Sequence, residues 1–244
     1  MRTAVLTADP AQSDLIRRWL TAAGHACHGF GRGGELMRAI TRDSFDLVVL
    51  DFELPDASGE LVLNWVRAHA PGNVAVLVVA ARQSECDMVS ALKAGADDFF
   101  VKPLSKAVFL ARVEALGRRA QPLVGHSRVL RIGEFEIDLP RRALARCGRA
   151  IGLSPKDFDL AVFLFHNIGR DMSRAHILES VWRMGDERHT RTVDTYISRI
   201  RGKLRLVPEH GWRLSAVYQY GYRLDALELP NRGVELGQPA SRER

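Results

Sequence analysis

Residues 188–204 read RHTRTVDTYISRIRGKL, and the way this stretch divides its side chains decides the fold of the second half of the chain. At helical spacing Val193, Ile197, Ile200 and Leu204 fall on one side, at i, i+4, i+7 and i+11. About 180° away in the same projection lie Arg191, Thr195, Ser198 and Gly202, flanked by Arg199 and Arg205. One side can be buried while the other stays short, hydrogen-bonding and cationic. A helix lying in a DNA major groove needs that division. Taken alone, the same pattern also describes a surface helix with a solvated basic face, so the neighbouring segments must decide.

Those neighbours point one way. Ser154-Pro155 before Lys156, Asp157 and Phe158 is a helix start, with Ser at the N-cap and Pro at the first helical position. Its core side is Phe158, Ala161, Val162 and Phe165. A second helix opens at Ser173, His176 and Ile177 and runs through Val181-Trp182, and a polar loop, Arg183 to Thr190, leads into the quoted stretch. Arg213–Val217 and Tyr222–Leu224 form a hairpin turning near Gln219–Gly221. Upstream, RVLRIGEFEIDLPRRALARCGRAIGL reads as short antiparallel strands broken at Gly133, Pro140 and Gly148. Two helices, a loop, a third amphipathic helix and a hairpin make a winged helix-turn-helix of α+β class.

The first half has a different rhythm. TAVLTA, FDLVVLDF and AVLVVA are apolar throughout rather than alternating, as strands buried on both faces of a parallel sheet are. Helical periodicity runs over Ala11–Ala23, Gly33–Arg42, Gly59–Ala70, Glu85–Ala94 and Ser105–Arg118, with Asp98–Val101 as a short last strand and Gly95 as a helix C-cap. The expectation is an α/β, (βα)5 doubly wound sheet whose site lies at the strand C-termini, where Asp9, Asp51 and Lys102 converge.

Composition agrees with two soluble domains. The chain has 244 residues, 46% hydrophobic and 26% charged. No apolar run approaches the roughly 20 residues of a membrane span, and the N-terminus has no secretory pattern. Cys27, Cys86 and Cys147 lie far apart, which suits a reducing cytoplasm better than a disulfide framework or zinc. Residues 1–117 carry 12 Lys/Arg and 14 Asp/Glu, a net of −2, and the remainder carries 23 and 15, a net of +8. Such asymmetry is expected when only one domain meets a polyanion. The predicted boundaries are 1–117 for the first domain, 118–127 for a linker, 128–226 for the second domain and 227–244 for a flexible tail.

LVVLDFELPDASG and GADDFFVKP resemble the receiver domain of two-component response regulators. LSPKDFDLAVFLFHNIGRDMSRAHILESVW, RTVDTYISRIRGKL and YGYRL resemble the OmpR/PhoB-type DNA-binding domain. The resemblance implies Asp51 as phosphoacceptor and Lys102 as the phosphate-contacting lysine. It also exposes departures. The acid pair that holds Mg²⁺ in receivers aligns with Thr7 and Ala8, leaving Asp9 and Asp51 as weak metal ligands. The switch Thr/Ser aligns with Ala80, and the switch aromatic with Phe99. Asp51 is thus either a phosphoacceptor or a strand-end carboxylate retained as a lysine partner.

Further expectations follow from the resemblance. A homodimer would form through helix 4, strand 5 and helix 5, where Asp97, Asp98 and Arg112 match the family face. Double-stranded DNA would be read by Thr195, Ser198 and Arg199 at base edges or nearby phosphates, with Arg191, Arg201 and Lys203 on phosphates. Arg201 projects near the core side, so a packing role stands beside the phosphate one. Tyr218 occupies the wing position where relatives carry a minor-groove Arg. Residues 183–189 would touch RNA polymerase, and a sensor histidine kinase is a possible partner; no membrane is. The function expected is a cytoplasmic, non-enzymatic, sequence-specific transcription regulator on direct-repeat DNA, with a degenerate, phosphorylation-independent receiver and no required cofactor. The alternatives are a conventional regulator switched at Asp51 and a nucleoid-type architectural protein.

Overall fold

The computed structural model describes residues 1–70, 74–81, 85–120, 129–182 and 190–227. The first domain alternates strands β1 (Arg2–Leu6), β2 (Ala26–Phe30), β3 (Leu47–Asp51), β4 (Ala75–Ala80) and β5 (Asp98–Val101) with helices α1 (Pro10–Ala22), α2 (Gly33–Ile40), α3 (Gly59–His69), α4 (Glu85–Lys93) and α5 (Lys106–Ala120). All pairings in the sheet are parallel, in the order β2-β1-β3-β4-β5, the doubly wound arrangement. Every residue of β1, β3 and β4 is buried, which is why those strands read as continuous apolar runs. β2 is an edge strand of only partly buried residues, ACHGF, and no sequence pattern announces it. Gly95 follows α4 at φ +102°, in the left-handed region that favours glycine, and its N–H bonds the Leu92 carbonyl.

The second domain begins with the antiparallel sheet β6 (Val129–Ile132), β7 (Phe135–Asp138), β8 (Ala143–Arg146) and β9 (Arg149–Ile151). Then come α6 (Pro155–His166), β10 (Met172–Ser173), α7 (Arg174–Trp182), α8 (Thr190–Leu204) and the wing strands β11 (Trp212–Val217) and β12 (Gly221–Ala226). α6 starts as its sequence demands. The Ser154 side chain accepts from the Asp157 N–H while the Asp157 carboxylate accepts from the Ser154 N–H, with Pro155 at the first position. One core holds the domain together. Phe135, Phe165 and Trp212 meet with ring centroids 4.9–5.6 Å apart, joined by Val193, Ile197, Ile200 and Leu204 of α8. β10 is a two-residue strand on β12, and a side chain at Gly221 would run into the Met172 carbonyl.

α5 continues to Ala120, three residues past the expected boundary at Gly117. The rest of the linker, the loop 183–189 and the tail beyond Leu227 lie outside the described residues. Among the described residues no helix is long and apolar enough to cross a membrane.

Candidate nucleic-acid interface and receiver pocket

α8 is anchored by Val193, Ile197, Ile200 and Leu204, each at most 1% exposed. Its outer side presents Thr195, Ser198, Arg199, Gly202, Lys203 and, just past its end, Arg205. A side chain at Gly202 would meet nothing within 4 Å, so the bare backbone there leaves room for a close neighbour. The Arg191 side chain lies outside the described residues. Three elements are tied together around Asp194. Its Oδ1 accepts from the Tyr222 hydroxyl at 2.6 Å and from Arg174 Nε at 3.0 Å, joining α8 to the wing and to α7.

The cations of α8 are less free than a helical projection suggests. Arg199 Nε lies 3.2 Å from Asp157 Oδ1, and Lys203 Nζ 2.9 Å from Asp157 Oδ2. Asp157 is itself solvent-inaccessible. Burial opposes its charge, but Lys203 and the Ser154 side chain and backbone outweigh that, and its pKa lies below the ordinary carboxylate value. The Arg199 guanidinium also lies 4.0 Å from the Tyr196 ring centroid. Both cations keep more than a third of their surface exposed. The Arg201 Nε donates to the Leu214 carbonyl of β11 at 2.9 Å, the contact a packing role would make. Tyr218 is 87% exposed at the wing tip.

In the receiver, the sheet brings Asp51 and Lys102 together. Asp51 Oδ2 accepts from Lys102 Nζ and from the Thr7 hydroxyl, both at 2.8 Å, and Asp51 Oδ1 accepts from the Glu53 N–H at 3.3 Å. Thr7 is the residue the sequence singled out only for lacking a carboxylate; its hydroxyl now occupies the acceptor oxygen. Asp9 joins this cluster only through its backbone, its N–H donating to the Thr7 hydroxyl at 3.3 Å. Its Oδ1 accepts from the Ala11 N–H at 2.9 Å and caps α1, so the expected weak metal contact is corrected to a helix cap. Among the described residues the carboxylate at the centre of the pocket, Asp51, is already engaged by a hydroxyl and an ammonium. It does not fit a hard divalent cation, which needs anionic oxygens with room for water. Ala80 and Phe99 are both buried, and neither offers a hydroxyl.

On the expected dimer face, Arg112 Nη1 grips both oxygens of Asp98, at 2.6 and 2.7 Å, within one chain. Asp97 Oδ2 accepts from Arg67 at 2.6 Å and from the Val76 N–H. Val89, Leu92 and Val108 are 41–47% exposed on α4 and α5.

Residues 5–114 match the response regulator receiver domain family, and residues 148–224 the family described as transcriptional regulatory protein, C terminal. The sensory transduction protein RegX3 of Mycolicibacterium smegmatis is 32% identical over 228 residues, covering 91% of this chain and 99% of that one. The chain belongs to the OmpR/PhoB family of response regulators. PhoB of Rhizobium meliloti, a phosphate regulon transcriptional regulatory protein, is 35% identical over 83% of this chain and 89% of its own length. The DNA-binding response regulator MtrA of M. smegmatis is 32% identical, over 91% and 96%. The structure of DrrB, a Thermotoga maritima OmpR/PhoB homolog, aligns over 92% of this chain and 98% of its own at 26% identity, with a TM-score of 0.43. This response regulator is a two-component protein with a DNA-binding transcription-regulator domain, and not an enzyme.

Proposed function

We propose that this response regulator binds direct-repeat DNA as a dimer paired through α4, β5 and α5, and that its receiver works without aspartyl phosphorylation. One observation carries the second part: the Asp51 oxygen that would receive a phosphoryl group is held by the Thr7 hydroxyl and Lys102. Phosphoryl transfer to a carboxylate needs cationic charge on the moving group, and Lys102 alone supplies little of it. On the DNA side Thr195 and Ser198 face base edges. Arg199 and Lys203 reach phosphates from the flank once they leave Asp157, and Tyr218 meets the backbone beside the wing. Pairing of receivers would exchange the Arg112–Asp98 contact between chains and cover Val89, Leu92 and Val108.

The conventional reading rests on Asp51 and Lys102 still standing 2.8 Å apart. Intact-mass measurement after incubation with acetyl phosphate and Mg²⁺ separates the two. The proposal expects no adduct; a stoichiometric phosphoryl adduct that is absent in Asp51→Asn would overturn it.

A further inference from the structure

The two domains leave a cleft between them, and none of the residues assigned to DNA or to the Asp51 pocket lines it. Its volume is about 1010 Å³, at the upper end of the roughly 300–1,000 Å³ typical of small-molecule sites. The receiver contributes the end of α1, the turn into β2 and the residue before β3. The second domain contributes the β7–β8 turn, one side of α6 and the end of α7. α6 can face both ways because its sequence has two sides. Leu160, Ala161, Leu164 and Phe165 enter the domain core, while Lys156, Asp159, Val162, Phe163 and His166 line the cleft.

The side-chain charges on these walls do not balance. Asp46 is paired with Arg170 and His176, Asp159 Oδ1 with Arg142 at 2.7 Å, and Glu179 Oε2 with Arg2 at 2.9 Å. Burial is the main cause that lowers the pKa of His166 and of His25, so neither ring is charged at neutral pH. Lys156 is left. Its Nζ donates to the Val181 carbonyl at 2.8 Å and, among the described residues, meets no acid. An ammonium has three donors, so two more contacts are open to it. The wall beside it is apolar: Val162 and Phe163 of the same helix, with Leu139 of the β7–β8 turn, lie against the core but stay only partly buried.

We propose that the cleft binds a small amphiphilic carboxylate, with its acid group on Lys156 Nζ and its apolar body against Val162, Phe163 and Leu139. A hydrated inorganic anion would leave that apolar wall in water, and a neutral apolar molecule would cover the ammonium without giving it an acceptor. An organic acid meets both demands, and its charge-assisted contact gains strength in a partly desolvated cleft. Because the walls come from both domains, an occupant touches the receiver and the DNA-binding domain at once, without any step at Asp51.

The test uses the full chain, with 3-phenylpropanoate and octanoate as probes and 3-phenylpropanamide and inorganic phosphate as controls. Titration calorimetry should show saturable binding of the acids, with 3-phenylpropanoate about tenfold tighter than its amide, the scale of one hydrogen bond to a charged group. Phosphate should not bind over the same range. Lys156→Gln should bring acid and amide to the same affinity, and its melting midpoint reports that it is folded. Asp159→Asn frees Arg142 as a second cation on the wall and should tighten acid binding several-fold, a gain that damage to the fold does not produce. In wild type the methyl resonances of Val162 and Val181 should shift as the acid is added, a readout that needs no variant. Absence of saturable binding by both acids, equal affinity for acid and amide in wild type, or undiminished acid binding in folded Lys156→Gln overturns the proposal. Phosphate binding as tightly as the acids overturns the amphiphilic class, and acid binding that leaves both valines unmoved overturns the cleft as the site.

Discussion

Asp157→Asn tests whether the α8 cations are held back by the protein's own charge. The change is nearly isosteric, and the Asn carbonyl can still accept from the Ser154 N–H, so the capping geometry of α6 survives in part. What disappears is the negative charge that pairs with Arg199 at 3.2 Å and Lys203 at 2.9 Å. Each cation is partly solvated, so each lost pair is worth about 0–1 kcal/mol, with a further fraction from hydrogen bonds that are no longer charge-assisted. Together the DNA-binding domain should lose about 1–2 kcal/mol, and its melting midpoint about 4–8 °C for each kcal/mol in a domain of this size. The wild-type carboxylate has a folded pKa below its unfolded one, so its contribution is complete above the unfolded value near 4 and is lost as pH falls through the folded value. The stability gap between wild type and Asp157→Asn should therefore close in acid.

DNA binding should move the other way. Freed from Asp157, Arg199 and Lys203 each reach phosphate without first breaking an ion pair. Both proteins make the same phosphate contacts, each contributing about 0.9 to the slope of log affinity on log salt, so the slope should change little while binding tightens, most visibly at low salt. Titration of a selected half-site at several salt concentrations, beside thermal melts, reads both effects. A less stable protein that binds more tightly at low salt is the signature of sequestration. If Asp157→Asn instead weakens binding at every salt concentration, Asp157 is orienting Arg199 for its contact rather than withholding it, and the reasoning fails.

Arg201→Ala should cost the second domain about 1–3 kcal/mol through the unpaired Leu214 carbonyl, read as a lower melting midpoint, while leaving the salt slope of DNA binding unchanged. Trp212→Ala opens the Phe135–Phe165–Trp212 cluster at a cost of about 3–5 kcal/mol, and circular dichroism with DNA titration should show the second domain lost while the receiver transition persists. Tyr218→Ala should leave the melt unchanged and reduce half-site affinity, since the ring is almost wholly exposed. Thr7→Asp places a second carboxylate against Asp51 in place of a donor hydroxyl; the receiver should lose about 1–3 kcal/mol, and millimolar Mg²⁺ should restore part of the melting temperature, which it does not do for wild type.

The parts of the fold that show in the sequence are those with a strong period. Three receiver strands buried on both faces read as unbroken apolar runs, and α8 shows its core side at helical spacing because one continuous core receives it. β2 does not show, because ACHGF sits at a sheet edge where burial is partial and demands no apolar run. β10 does not show either, since two residues carry no period and are a strand only because β12 runs alongside. At the site, the missing acids at Thr7 and Ala8 were legible by position. That the Thr7 hydroxyl takes the Asp51 oxygen, and that Asp9 turns to cap α1, depends on where side chains point after the sheet has formed. The Ser154-Pro155 start marks the cap of α6, but nothing local says that Asp157 will also meet α8.

Charge bookkeeping along the chain is similarly incomplete, and the reason bears on how this protein meets DNA. The net of +8 in the second half suggests a broadly basic domain. In the folded domain many of those cations face acids: Arg142 meets Asp159, Arg146 meets Glu134, Arg174 meets Asp194 and Arg223 meets Asp225. Arg170 is turned toward the receiver and Asp46. Arg205, just past α8, and Arg213, on β11, meet no acid among the described residues, and both are exposed. A phosphate approaching the domain thus feels a field concentrated near α8 and the wing rather than the domain's total charge, because nearby opposite charges cancel within a few ångströms while unpaired ones persist to about a Debye length of 8–10 Å. Arg199 and Lys203 stand between these cases, neutralised by one buried carboxylate at rest and able to exchange it for phosphate. The strength of the DNA contact is then set by the difference between two pairings of the same cations, which is the quantity Asp157→Asn measures.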